Sequence, residues 1–168
     1  MKSGLWIIVA LGTLAGGCDD GVKPPADGGG GGSTSPSAFS GTIHYRNWPV
    51  ADSLVDLRIV AFKVFPPGDI VSEVLQGRAV VYPPLGDTAL VPFRVDSLRY
   101  VAPAAVATYQ YVVVAQQYGP NILTDWRPVG QYDLDTILTV PSPVVVAAGD
   151  TTRNININVD FQHPPPLP

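Results

Sequence analysis

The sequence predicts an all-β fold: an antiparallel sandwich of about seven to nine short strands, with one short helix at most. Three observations lead there. Apolar and polar residues alternate at period two in several stretches, most clearly near the end, where Ile155, Ile157, Val159 and Phe161 share one face and Asn154, Asn156, Asn158 and Asp160 the other. Such stretches recur at close spacing along the chain. Between them stand turn formers, drawn from 18 Pro and 17 Gly in 168 residues.

Taken in order, Phe39, Gly41, Ile43 and Tyr45 alternate with polar neighbours as a half-buried strand does, and Asn47-Trp48-Pro49 ends it. Residues 55–64 carry apolar side chains on both parities in their second half, the pattern of a central strand covered on two faces. After Pro66-Pro67-Gly68, the residues Ile70, Val71, Val74 and Leu75 recur at helical spacing. Asp69 is placed to cap that helix and Gly77 to end it. Strand character returns over 78–82 and over 88–95, where Pro92 implies a sheet edge because it has no N–H to donate. Residues 98–101, 108–116, 125–132 and 143–147 complete the predicted strands.

The N-terminus carries an address. Lys2 precedes an apolar run from Leu5 to Leu14, about half the roughly 20 residues a membrane-spanning helix needs, followed by Ala15-Gly16-Gly17 and then the chain's one cysteine, Cys18. Small residues directly before a lone cysteine resemble the lipobox of bacterial lipoproteins. The resemblance implies cleavage after residue 17 and lipid attachment to Cys18, and so a membrane anchor at the bacterial cell envelope, on the periplasmic face or the cell surface. Acyl chains contribute about 0.8 kcal/mol per buried CH2, so an acylated terminus holds a domain on a bilayer without a spanning segment. Composition then divides the chain into a signal peptide over 1–17, an anchored flexible linker over 18–37 with five consecutive glycines at Gly28–Gly32, a sandwich domain over 38–162 and a Pro-rich tail over 163–168 with nothing to pack.

A second resemblance rests on three stretches. Gly41-Thr42-Ile43, the strand Tyr109-Gln110-Tyr111-Val112-Val113-Val114-Ala115, and Val146-Ala147-Ala148-Gly149-Asp150-Thr151-Thr152 with the alternation after it together resemble the Ig-like, transthyretin-like or carboxypeptidase-regulatory-like β-sandwich of bacterial envelope proteins. That resemblance implies an interaction or structural module without catalytic residues. The family usually has Gly just before the aromatic strand; Ala107-Thr108 stands there in this chain.

Residue chemistry points the same way. A net charge of −4 with 14% charged residues supplies no basic footprint for nucleic acid. One cysteine excludes an internal disulfide. Of the two histidines, His44 falls within a strand and His163 among prolines, neither suited to orient a nucleophile. Metal-ligand motifs of the HExxH or Cys/His kind are missing, and Asp133 and Asp135, with Asp125 nearby, lack EF-hand spacing and read as a solvated loop. Neither a cofactor nor a metal is predicted. Trp48, Trp126, Tyr118 and Tyr132 lie in or beside turns, where rings either plug the core or contact a partner. The resulting expectation is a non-catalytic, lipid-anchored binding or structural module for a protein or glycan partner; the alternatives are a small envelope hydrolase and an accessory subunit of a transport system.

Overall fold

Alternation at the start of the domain becomes β1 (Ala38–Arg46), a nine-residue strand one position in from an edge of the sheet. The structure is a computed structural model and describes residues 35–87, 94–135 and 139–168. Residues 1–34, which hold the expected signal peptide, Cys18 and most of the expected linker, lie outside the described residues, as do residues 88–93 of the strand expected over 88–95. Arg94 there has φ 65° and Val95 belongs to no strand.

After β1 come β2 (Asp56–Phe62), α1 (Ile70–Leu75), β3 (Ala79–Tyr82), β4 (Ser97–Pro103), β5 (Ala107–Tyr109) and β6 (Tyr111–Gln117). The chain continues through β7 (Trp126–Tyr132), β8 (Val144–Val146), β9 (Thr151–Thr152) and β10 (Ile157–Asp160). One curled sheet has the order β3-β2-β6-β7-β10-β1-β4, with β9 also on β1, and β5 pairs β8 in a second, small sheet. The all-β class predicted from the sequence is the class observed. The large sheet is mixed, because β10 and β9 both run parallel to β1.

The strand expected over 108–116 divides at Gln110. Its first part, β5, pairs β8, and its second, β6, pairs β2 and β7. The Gln110 N–H donates to the Phe62 carbonyl at 2.8 Å, so the backbone is still satisfied where the chain changes sheets.

The inner core follows the alternations. Phe39, Ile43, Ile59, Val114, Ile157 and Val159 pack together there with almost no exposure. Each such side chain contributes about 1.5–3 kcal/mol by leaving water. Residues 153–156, between β9 and β10, leave the parallel ladder and swing in over Gly41, aided by Asn154 at φ 65°. Ile155 N–H donates to the Ser40 carbonyl at 3.0 Å, the Tyr100 hydroxyl donates to the Ile155 carbonyl at 2.6 Å, and the Asn156 side chain accepts from Thr42 N–H at 2.9 Å.

Helix α1 begins and ends as expected. The Asp69 side chain accepts from Val71 N–H at 3.2 Å and from the Ser72 hydroxyl, and Gly77 takes the left-handed φ of 66° just past the helix. The tail departs from expectation: Pro165 is buried, and Leu167 and Pro168 reach the outer face of the sheet. Among the described residues no helix is long and apolar enough to cross a membrane.

Candidate functional site

The strands β2 and β6 are apolar on both faces, and their outer face meets something other than the inner core. Val60 and Phe62 from β2, with Tyr111, Val113 and Ala115 from β6, form a second apolar cluster there. Helix α1 lies over this cluster and packs Val74 against it, while Trp126 packs at the β7 side. A helix of six residues cannot cover so wide a surface. Between helix and sheet remains a half-enclosed cavity of about 290 Å3, just under the lower limit usual for small-ligand sites.

One side of the cavity is shaped by the loop between β6 and β7. Asp125 stiffens that loop: its carboxylate accepts from Asn121 N–H and the Thr124 hydroxyl, each at 2.9 Å. Trp126 donates its indole N–H to the Ile122 carbonyl at 2.8 Å. The loop thereby presents Ile122 and Leu123 at the mouth, with Leu167 and Pro168 of the tail also in the lining. Asp125 is thus occupied in backbone turns.

Arg58 closes one end. It is buried on the outer face of β2, where sequence alternation alone does not anticipate a charge. Its Nε donates to Asp56 at 2.7 Å, Nη1 to the carbonyls of Pro83 and Pro84 at 3.0 Å each, and Nη2 to the Asp87 carbonyl at 2.7 Å. The guanidinium is therefore neutralised and its donors turned away from the cavity. Arg127 donates Nε to Gln116 at 3.0 Å and sits 5.9 Å from the Tyr118 ring centre. Tyr111 is different: its hydroxyl is buried and has no hydrogen-bond partner, and burial raises its pKa above the ordinary tyrosine value.

The four aromatics expected near turns separate into two kinds. Trp48 packs 4.9 Å from Tyr45 and 4.8 Å from Phe161, and its indole donates to the Val95 carbonyl at 3.0 Å, so it plugs the inner core. Tyr132 is 7% exposed and belongs to the same core. Tyr118 is 46% exposed beside Arg127, and Trp126 lines the cavity.

His44 is exposed on β1, and His163 faces Asp160 at 3.3 Å. Asp133 accepts from the Ser142 hydroxyl at 2.8 Å and from Gln131 at 3.2 Å, which ties two loops together. Among the described residues, no three His, Cys, Asp or Glu side chains converge as metal ligands would. The cavity was missed by sequence reasoning, although its signal was there: apolar residues on both parities of 55–64 and 108–116, beside a helix with an apolar face.

Fold and site together define an all-β protein with an apolar cavity on the outside of its sheet, roofed by one short helix. Compared with protein-family models, curated proteins and solved structures, the chain matches none.

Proposed function

We propose that this protein is a non-catalytic binding module, tethered to the bacterial cell envelope through lipid on Cys18, and that it binds its ligand in the cavity between α1 and the outer sheet face. The single observation that carries the reading is the cavity itself, about 290 Å3 with an almost wholly apolar wall, on a sheet whose other face already packs a complete core. A protein gains nothing for its own stability by leaving such a surface half covered, so its retention fits use by a ligand. A linker of Gly-rich composition would give the domain reach from the membrane. The wall favours an apolar ligand over a sugar, since a glycan needs several hydrogen-bonding groups to replace lost water.

The test is a titration with N-phenyl-1-naphthylamine, whose fluorescence rises in apolar surroundings. Saturable uptake at one dye per chain is expected, and Val113→Arg, which sets a charge in the wall, abolishes it. Uptake that never saturates, or that the variant leaves unchanged, ends the proposal.

A further inference from the structure

We propose that the natural occupant of this cavity is an alkyl chain, the hydrocarbon tail of a fatty acid or of an acyl lipid, lying between α1 and strands β2 and β6. The inference rests on the cavity being a binding site and adds what binds there.

The argument turns on how few polar groups the wall has to offer. Strand β2 lies between β3 and β6, and β6 between β2 and β7, so their backbone N–H and C=O groups are committed to the sheet. The Arg58 guanidinium is spent on Asp56 and three carbonyls and the Trp126 indole N–H on Ile122, while Arg127, half-buried in the lining, gives its Nε to Gln116. Of the wall residues, Tyr111 alone carries a buried polar atom without a partner. A peptide segment would bring an amide every few ångströms and a glycan a hydroxyl on nearly every carbon. Either would leave those groups unsatisfied inside the cavity. A run of methylenes needs no partners, and the one Tyr111 hydroxyl is matched by one oxygen at most.

Size and rim agree. An apolar cavity of about 150 Å3 holds a benzene ring, so about 290 Å3 is enough for roughly a dozen carbon atoms. The aliphatic side chains Ile70, Leu75, Leu85, Ile122, Leu123 and Leu167, all in the lining, are between 42% and 74% exposed. They continue the apolar wall outward past the mouth, which suits a chain that extends beyond the enclosed part.

The test uses the full chain carrying Cys18→Ser, so that no detergent is needed to hold an anchor in solution. N-phenyl-1-naphthylamine is bound first and dodecanoate is then titrated in. Displacement at one dodecanoate per chain is expected, weakened at least tenfold by Val113→Trp, which fills the cavity from the sheet. Val74→Trp fills it from the helix and is expected to do the same, so that one variant failing to fold leaves the other.

A second arm incubates the protein with vesicles of phosphatidylethanolamine and phosphatidylglycerol, re-isolates it and extracts it with organic solvent. Recovery of phospholipid identifies an acyl lipid as the source, and recovery of fatty acid alone identifies the free acid. Absence of dye binding defeats the cavity reading and this inference together. Dye binding that dodecanoate does not displace defeats this inference alone, as does dodecanoate binding that both tryptophan variants leave intact.

Discussion

Gly41 lies under the backbone of Ile155 so closely that a Cβ at position 41 would stand 2.0 Å from the Ile155 carbonyl oxygen. That carbonyl also takes the Tyr100 hydroxyl bond, so the segment between β9 and β10 is pinned from both sides. Only a residue without a side chain leaves room for it. Gly41→Ala is expected to cost at least about 2 kcal/mol, because the atom in the way is backbone and cannot rotate aside. Urea unfolding of the variant against the parent protein measures this; an unchanged midpoint refutes the packing described for Gly41.

Arg58 and the turn over residues 83–87 depend on each other. Arg58→Met keeps the apolar stem but removes the guanidinium donors to the Asp56 carboxylate and to the Pro83, Pro84 and Asp87 carbonyls. The expected loss is about 3 kcal/mol, the size seen when one partner of a buried ion pair is removed. Amide hydrogen exchange is the second readout: protection should fall in 79–87 before it falls in β6.

Helix α1 is too short to hold itself together and relies on its cap and on the sheet beneath it. Asp69→Ala removes the acceptor for Val71 N–H and the Ser72 hydroxyl, and is expected to lower the melting temperature. Because α1 roofs the cavity, the same variant should also weaken uptake of an apolar dye. Stability loss with dye affinity unchanged would separate the helix from the site.

Asp160 makes the fold sensitive to acid. The Asn47 side-chain amide, donating at 2.8 Å, holds its carboxyl at about 2 against an ordinary 3.8, aided by Gln162 N–H and by the ring and N–H of His163. A carboxyl depressed by folding adds stability that is present above pH 3.8 and is lost as pH falls toward 2. Melting temperature is therefore expected to drop across that window, and Asp160→Asn to flatten the drop while lowering stability at neutral pH. An equally steep acid limb in the variant rules Asp160 out as its source.

Anchoring is tested separately from binding. Cells grown with labelled palmitate are expected to incorporate label into the protein, and Cys18→Ser to abolish it and release the chain from the membrane fraction. Label that survives the substitution, or full-length chain recovered in the cytosol, overturns the lipoprotein reading.

The local grammar of this chain is legible in its residues alone. The alternation over 154–161 names its buried side chains, Asp69 and Gly77 bracket the helix, and the two-sided apolar pattern of 55–64 marks a strand covered on both faces. What covers the second face is not legible there. The break at Gln110 is invisible because the apolar run continues past it: Tyr109 and Tyr111 share a parity, yet Tyr109 enters the inner core and Tyr111 the outer cluster as the partner strand switches from β8 to β2 and β7. Nothing in the local pattern marks Arg58 as buried; the carbonyls of Pro83, Pro84 and Asp87 around it decide that.

By itself the sequence determined the class of fold, the buried face of the last strand, and the caps and turns, since those follow from preferences acting over a few residues. Only the tertiary structure decided that β10 runs parallel to β1 across more than a hundred residues, that Ile155 crosses Gly41, and that the tail with Pro165 buried returns to the outer face. The cavity belongs to that second group. Its wall is drawn from strands, a helix, a loop and the tail, and a volume enclosed by distant segments leaves no periodic trace in any one of them.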